Sequence, residues 1–308
     1  MIEQSPKQII ERKLTEIDFL IGEDSVDRRV SRLRRYLKTD LRDATEALLD
    51  SENIYICTGF VIPSGETIET DGLSGAFFLG RALKELGKTV TFLLDDNSAE
   101  VIRNVNSSMQ DGFNLRHIDR NFMKQYDYPV LEFDLYSNII NRSKKTALIA
   151  IGRPGLGGDN QYRNMAGDAI PNHPLDAIFY YYLGSHNVRT ISCADGLNEL
   201  GMGKLPKGLI RRDRQIQSVI KVDDLIVGGT ADWATFGLIA ALSLYSGKDL
   251  LPTSTDQSAY LKAVSEAGAV DGITRKRELT VDALPLSRHI EKVQQLRSMI
   301  CPKVALDN

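Results

Sequence analysis

Short apolar runs alternate with amphipathic segments along most of the chain, a pattern typical of βαβ units around a parallel sheet. Six runs have the length of strands, at residues 54–60, 89–94, 115–118, 147–151, 188–192 and 225–227. Helices are predicted between them, for example at residues 74–86, where Gly87 follows as a C-cap. The pattern therefore predicts an α/β fold with a doubly wound, mainly parallel, Rossmann-like sheet and helices on both faces.

Residues 1–50 differ from the rest because their apolar positions follow helical spacing with charges between them. We expect them to form a helical N-terminal region, and residues 51–308 to form the α/β domain. The five arginines between positions 28 and 35 raise the question of nucleic-acid binding, but acids such as Asp27 and Asp40 flank them. A solvated helix face is the preferred interpretation of Arg28 and its neighbours.

Ligands of doubly wound sheets bind where loops leave the carboxyl ends of the strands, so four loops form the candidate site. The first loop spans residues 62–75 and places Asp71 and Gly72 at the start of a helix. Its acids suit a cation or a substrate ammonium, and its glycines let a ligand come close to backbone N–H groups. Ordinary capping of the helix explains Asp71 equally well.

The second loop, residues 152–165, carries Arg153 and Arg163, and each can fork onto a carboxylate or a phosphate. A role for one of them in bracing the loop is the alternative. Tyr162 and Asn164 are further candidates for substrate binding. The glycines of this loop do not form a G-x-G-x-x-G pattern, so neither a nicotinamide nor a flavin cofactor is expected.

The third loop, residues 195–204, is the strongest signal because Asp195, Asn198, Glu199 and Lys204 lie among its glycines. It fails the P-loop pattern at two positions. Two acids, an amide and a lysine suit acid/base catalysis, or a divalent cation such as Mn²⁺ or Mg²⁺ held by Asp195 and Glu199.

The fourth loop, residues 228–237, carries Trp233, the only tryptophan of the chain. This side chain is expected either to wall a ligand pocket or to lie in the core. An uncharged run follows it, at residues 233–247, and is shorter than the ~20 residues that a membrane helix needs. That run therefore predicts a buried helix.

Charge and cysteine content limit the classes of partner. The net charge is −3 and the pI is about 5.9, so no overall electrostatic attraction to nucleic acid or an anionic membrane is expected. The three cysteines are widely separated, which indicates neither a disulfide framework nor a zinc site. Residues 1–11 lack the apolar core of a signal peptide. We expect a cytoplasmic protein that acts on a small molecule.

Motifs shared with a known family occur in order between roughly residues 50 and 295. They are Thr58-Gly59-Phe60, Glu69-Thr70-Asp71-Gly72, Arg153-Pro154-Gly155 with Tyr162 and Asn164, Asp195-Gly196, residues 198–204, Ala231-Asp232-Trp233, Val281-Asp282 and Leu284-Pro285. This set resembles the glutamate cyclase-like C-terminal domain family. The chain departs from the family pattern at Leu197, Ala234, Thr235 and Ala283, and His289 lies one step from the family's histidine.

The resemblance implies a carbon-oxygen lyase, or hydro-lyase, that dehydrates D-glutamate to 5-oxoproline. Such a reaction needs a base for the α-ammonium, an acid for the departing oxygen and a cation for the oxyanion. Glu199 or Asp195 is the expected base, Lys204 the expected oxyanion stabiliser and Arg153 the expected ligand of the α-carboxylate. Further substrate contacts are expected from Asp71, Gly72, Tyr162, Asn164, Asn198 and Trp233.

Two other functions stay open at this point. A Mg²⁺-dependent phosphate-handling enzyme would use Asp195 and Glu199 for the metal and Lys204 for phosphate. A non-catalytic domain would instead act beside a separate hydro-lyase-like partner, since a domain of that kind precedes this one in two-domain relatives. A homo-oligomer is also compatible with the sequence.

Overall fold

The computed structural model describes residues 5–37, 39–62, 67–118, 139–141, 143–209 and 215–300. Within these residues one six-stranded sheet contains β1 (Asn53–Thr58), β2 (Thr89–Leu94), β3 (Asn114–His117), β4 (Thr146–Ile151), β5 (Val188–Ala194) and β6 (Asp224–Val227). All neighbouring strands are parallel, in the order β3-β2-β1-β4-β5-β6. The predicted doubly wound sheet is confirmed, and each strand lies within two residues of its predicted bounds.

Helices pack on both faces of the sheet, as expected from the alternating pattern. They are α1 (Pro6–Ile21), α2 (Val30–Leu33), α3 (Asp40–Asp50), α4 (Leu73–Glu85), α5 (Ala99–Ser108), α6 (Asp176–Tyr182), α7 (Ala231–Ser246), α8 (Ser254–Glu266) and α9 (Leu286–Ile300), with a 3-10 turn at Arg34–Tyr36. Successive residues of β1 point to opposite faces, so Ile54 and Ile56 join one buried cluster while Tyr55 and Cys57 join the other.

The first helix of the N-terminal region packs against α7 and α9 and shares the main core. Ile17 and Ile21 approach α7 at Gly237, where an added Cβ would lie 2.8 Å from Ile21 Cδ1. The uncharged run after Trp233 forms α7 and is buried along most of its length, as predicted. No helix of the described residues is both long and apolar enough to cross a membrane.

The tail after Pro252 covers one end of the sheet with α8, a short antiparallel hairpin and α9. The hairpin pairs β7 (Thr280–Val281) with β8 (Leu284–Pro285). The N–H of Thr70 donates to the carbonyl oxygen of Val270 (2.8 Å), and the N–H of Val270 donates to that of Ile68 (3.2 Å), so this tail is joined to the loop after β1. The tail therefore lies over the carboxyl ends of the strands, where the candidate loops meet.

The strand order reverses between β1 and β4, and the loops that leave these two strands run close together. Gly72 has a φ of 79°, and an added Cβ would lie 3.0 Å from the carbonyl oxygen of Ile151. Glycine is required here because a side chain would meet both an unfavourable backbone angle and a neighbouring backbone. The reversal of strand order between β1 and β4 marks the crevice in which doubly wound folds bind ligands.

Candidate active site

Three buried aspartates meet at the carboxyl edge of the sheet and are called here the aspartate cluster. Asp71 follows β1, Asp195 follows β5 and Asp282 lies in the turn between β7 and β8. One carboxylate oxygen from each lies within 4.8 Å of the other two. The prediction that Asp71 and Asp195 lie close together is confirmed, and Asp282 joins them.

Asp71 is held by the backbone at the start of two helices. Its Oδ1 accepts hydrogen bonds from the N–H groups of Gly72 (2.9 Å) and Asp232 (3.0 Å), and its Oδ2 accepts one from Ala231 (2.9 Å). Asp232, in the first turn of α7, in return accepts a hydrogen bond from the Gly75 N–H of α4 (2.8 Å). Each acid therefore satisfies N–H groups at the start of the other's helix.

Asp282 reaches the cluster from a strained turn. Asp282 and Ala283 have φ values of 53° and 59°, as the two central residues of a type I′ hairpin turn require. The N–H of Ala283 donates to Asp271 Oδ2 (2.8 Å), which fixes the turn against the loop before it. Ala283 thus occupies a left-handed position that favours glycine, and nothing in the structure explains why the chain has alanine there.

Arg28, from the loop between α1 and α2, is the cation of the aspartate cluster. Its guanidinium bridges Asp195 and Asp282, with a distance of 2.6 Å from Nη2 to Asp282 Oδ1. Burial disfavours the charged guanidinium, but these carboxylates outweigh that cost and hold the pKa of Arg28 well above its usual value. The interpretation of Arg28 as part of a solvated helix face is wrong, because the side chain is drawn inward by buried acids.

A cavity of about 250 Å³ opens beside the cluster. Its walls come from the loops after β1, β4 and β5, the α1–α2 loop and the tail. They are Arg28, Phe60, Val61, Ile62, Glu69, Asn164, Met165, Ala166, Asn198, Glu199, Gly272, Ile273, Arg275 and Asp282. The volume suits a small metabolite, and the walls combine acids with two arginines.

The acids around this cavity are short of positive charge. Burial raises the pKa of Asp71 and Asp195 well above the usual range, and it raises that of Glu69 similarly. Repulsion from neighbouring carboxylates adds to each rise, whereas Arg28 opposes it. A second cation near the cluster would relieve this repulsion.

Two buried carboxylate oxygens of the cluster have no hydrogen-bond partner among the described residues, Oδ2 of Asp195 and Oδ2 of Asp282. Unpaired buried acceptors of this kind are costly and call for a partner. Together with Asp71, whose two oxygens accept hydrogen bonds from backbone N–H groups, Asp195 and Asp282 form a set of three carboxylates, the ligands that Mg²⁺ and Mn²⁺ prefer. The donor set therefore fits a hard divalent cation or an ammonium group.

Glu199 lines the cavity, and a hydrogen bond from the backbone holds its side chain. Its Oε2 accepts a hydrogen bond from the Asp195 N–H (2.7 Å), and burial raises the pKa of its carboxyl group although Arg28 opposes the rise. Asn198 also lines the cavity, and its Nδ2 donates to the carbonyl oxygen of Arg163 (2.9 Å). Asn164 is a third residue of the wall. These three sequence-predicted residues are brought together in the structure.

Arg153 does not line the cavity. Its guanidinium is buried and forms an ion pair with Asp95, and it donates to the carbonyl oxygens of His173 (3.0 Å) and Thr58 (3.3 Å). The expectation that Arg153 contacts a substrate carboxylate is therefore wrong, since its guanidinium already binds these groups. Arg163 likewise pairs with Asp159 and braces its own loop.

Lys204 lies at the amino end of β6, on the side of the sheet opposite the carboxyl ends of the strands. Its Nζ forms an ion pair with Asp40 and donates to the carbonyl oxygen of Asp223 (2.5 Å), which directly precedes β6. The third loop turns back along β5 before it reaches Lys204, as the hydrogen bond from Ser192 Oγ to the Leu200 carbonyl (2.6 Å) indicates. The expected role of Lys204 as oxyanion stabiliser is corrected for this reason.

Tyr162 and Trp233 have structural partners outside the cavity wall. The Tyr162 hydroxyl donates to Asp176 Oδ1 (2.5 Å). The Trp233 ring is fully buried, its Nε1 donates to His289 Nδ1 (3.0 Å), and Lys292 Nζ lies 4.3 Å from the ring centroid. Of the two alternatives for Trp233, the structure favours the core.

Comparison with known proteins gives a match to a family model described as D-glutamate cyclase-like, C-terminal, over residues 17–297. The chain belongs to this family. Human mitochondrial D-glutamate cyclase is 28% identical to it over 319 aligned positions, which cover 92% of this chain and 51% of the relative. This member of the glutamate cyclase-like family thus spans about half the length of that relative, whose name places it in mitochondria.

A solved structure, an exopolyphosphatase-related protein from Bacteroides fragilis, covers 86% of this chain and 58% of its own. Its TM-score is 0.38 at 10% sequence identity, so it bears on neither the fold nor the activity of this family member.

Sequence reasoning missed Arg28 and Arg275 as parts of the site. Arg28 lies close to four other arginines in the sequence, and no local sequence pattern distinguishes it from them. Asp282 was visible only through the Val281-Asp282 motif, since its hairpin strands are two residues long. Their contribution becomes apparent only when distant segments meet at the sheet edge.

Proposed function

We propose that this chain is a D-glutamate cyclase-like lyase that closes glutamate into 5-oxoproline and releases water. One observation carries the proposal: a buried group of acids, short of positive charge, faces a cavity of about 250 Å³ that also carries two arginines. Glutamate brings one ammonium and two carboxylates. The acids suit the ammonium and the arginines suit the carboxylates.

In the proposed reaction the amine nitrogen attacks the γ-carboxyl carbon. A carbon–nitrogen bond forms, one carbon–oxygen bond breaks, and the oxygen leaves as water with two hydrogens that come from the ammonium. Glu199 is the proposed base and acid, because it lines the cavity and burial raises the pKa of its carboxyl group. A raised pKa lets one carboxyl group take a proton from the ammonium and return it to the departing oxygen.

Arg28 takes the place that the sequence suggested for Lys204. It lines the cavity and its charge is held in position by Asp195 and Asp282. A fixed positive charge beside the γ-carboxylate would stabilise the oxyanion as it forms. The folded pose of the substrate adds to this, since orientation can contribute up to ~7–11 kcal/mol in intramolecular reactions.

Mn²⁺ or Mg²⁺ is the proposed cation of the site, with Asp71, Asp195 and Asp282 as its ligands instead of the Asp195 and Glu199 pair expected from sequence. When bound, such an ion would polarise a carboxyl oxygen of the substrate. The phosphate-handling alternative is less well supported. It assigns phosphate to Lys204, which lies at the other edge of the sheet, and the acids of the cavity would repel phosphate.

The test is proton NMR of the purified chain with D-glutamate and L-glutamate, with and without Mn²⁺ or Mg²⁺. We expect 5-oxoproline to appear from one enantiomer. Glu199→Gln is expected to lower turnover by about 10²-fold or more with little change in melting temperature, since it keeps the size and the hydrogen-bond acceptor of the side chain. Glu266→Gln, at an exposed acid that does not line the cavity, is the matched control.

Full activity of the Glu199→Gln variant would remove Glu199 from the chemistry. Absence of turnover under every condition would instead favour the alternative in which this chain needs a hydro-lyase-like partner. That alternative is relevant because the chain covers about half of its human relative. A cytoplasmic location stays a prediction.

A further inference from the structure

Arg275 is the second arginine of the cavity wall and has no role in the chemistry described above. It lies in the loop that connects Val270 to β7, called here the Asp271 loop (residues 271–279). Its side chain forms no ion pair or side-chain hydrogen bond with any of the described residues. Most other arginines near the sheet edge, such as Arg28, Arg153 and Arg163, are paired with carboxylates. Arg275 is therefore free to bind an anion.

The Asp271 loop holds the backbone of Arg275 in a defined place. The N–H of Arg275 donates to the carbonyl oxygen of Asp271 (2.8 Å), and the N–H of Asp271 donates to that of Lys276 (2.9 Å). The Asp271 carboxylate accepts the N–H groups of Ile273 and Thr274 (both 2.9 Å). A loop tied at so many points presents Arg275 with little freedom of its backbone.

The backbone of Arg275 is also unusual, with a φ of 59°. A side chain in this left-handed region is disfavoured, and such strain concentrates at ligand-binding positions. Asparagine or glycine would fit the angle better. Arg275 therefore has a disfavoured backbone conformation in a position that borders the cavity.

The two cavity arginines differ in depth. Arg28 is partly buried against the aspartate cluster, whereas Arg275 is exposed at the rim. In the cyclisation proposed above, the ammonium and the γ-carboxylate must both lie at the acids, because they react with each other. The α-carboxylate is the one charged group that stays outside the new ring. It must then point away from the cluster, toward the rim.

We infer that Arg275 binds the α-carboxylate of the substrate at the rim of the cavity and selects for amino acids that carry it. This inference rests on the proposed function, and it assigns Arg275 the contact that the sequence suggested for Arg153. Arg275 acts on binding and not on bond formation, so its loss should affect KM more than kcat. The same contact should hold the product, because 5-oxoproline keeps the α-carboxylate.

The test compares Arg275→Gln with Arg277→Gln. Arg277 is an exposed arginine of the same loop that does not line the cavity, so it controls for loss of charge. We expect Arg275→Gln to raise KM for D-glutamate by about tenfold or more, with little change in kcat, since a forked contact to a carboxylate is lost. Arg275→Lys should restore only part of the affinity.

Product analogues give a readout that separates recognition from chemistry. 5-Oxo-D-proline and 2-pyrrolidone share the lactam ring, but only the first carries a carboxylate. In the Arg275→Gln variant, inhibition by 5-oxo-D-proline should weaken by about tenfold or more, and the effect of 2-pyrrolidone should stay the same. The Arg277→Gln variant should match the wild type with both compounds.

Equal inhibition of wild type and Arg275→Gln by 5-oxo-D-proline would overturn the inference while leaving the proposed cyclase activity in place. Loss of affinity for both compounds alike would also overturn it, because it would point to a general change of the loop. A wild-type chain that neither turns over D-glutamate nor binds 5-oxo-D-proline would reject the proposed function, and the inference would fall with it.

Discussion

Asp232 shows how one buried side chain couples the structure of the site to pH. It lies fully inside, accepts the Gly75 N–H, and has a pKa that burial raises from 3.8 to about 7. The native protein therefore holds a proton on Asp232 that the unfolded chain releases in the same pH range. Its contribution to stability is complete below pH 3.8 and is lost as the pH rises through about 7.

The Asp232→Asn variant isolates this effect, because an amide keeps the acceptor oxygen and resembles the protonated acid. Between about pH 5 and about pH 8, the wild type should lose stability relative to the variant by on the order of 2 kcal/mol. Urea unfolding of both proteins at the two pH values measures the difference. A constant gap between them would mean that Asp232 ionises normally.

At this scale the sequence predicted correctly that acids of the candidate loops lie at one edge of the sheet. Asp195 follows β5 directly, Glu199 lies in the same loop, and Asp71 ends the loop after β1, so their position at the carboxyl edge follows from topology. The partners of Arg153 and Lys204 could not be foreseen, because Asp95 and Asp40 approach them from other segments. Which charged side chains form ion pairs is decided by packing between elements that are distant in the sequence.

Among the elements, the strands of the central sheet were predictable and the hairpin was not. β1 and β4 are buried on both faces, so each is a continuous apolar run that is visible in the sequence. The strands β7 and β8 are two residues long and give no such signal. Yet this hairpin carries Asp282, so a short element supplies one of the three acids of the aspartate cluster.

The β7–β8 turn gives a prediction about strain. Ala283 has a φ of 59°, a region in which glycine has no steric cost, so Ala283→Gly should stabilise the protein by about 0.5–1 kcal/mol. Ala259→Gly in the exposed face of α8 is the control and should destabilise by about 1 kcal/mol. Denaturant unfolding measures both. A loss of stability in Ala283→Gly would contradict the strained turn.

Considered as a whole, the molecule closes its site with segments from both ends of the described chain. Arg28 comes from the loop after α1 and Asp282 from the hairpin before α9, while Asp71 and Asp195 come from the sheet. A ligand that bridges these carboxylates therefore links the sheet to the tail, and Arg28 ties the N-terminal region to the same acids. Its binding should stabilise the whole fold.

Added Mn²⁺ tests this coupling. Saturating Mn²⁺ should raise the melting temperature of the wild type by about 5 °C, since binding at 100-fold above Kd contributes about 2.7 kcal/mol. Asp282→Asn should abolish the rise. Asp27→Asn is the matched control, because Asp27 is exposed, outside the cluster, and has a φ of 54° against 53° for Asp282. An equal response of Asp282→Asn and wild type would exclude the aspartate cluster as the ion site.

The crossed capping of α4 and α7 gives the site a charge that does not titrate. The start of α7 points its N–H groups at Asp71, and Asp232 returns the contact to α4. Each helix start carries about half an elementary charge, so together they act like one fixed positive charge made of peptide groups. Side chains gain and lose protons as the pH changes, but this field persists. Part of the positive field at the base of the crevice therefore comes from peptide groups and stays constant as the pH changes.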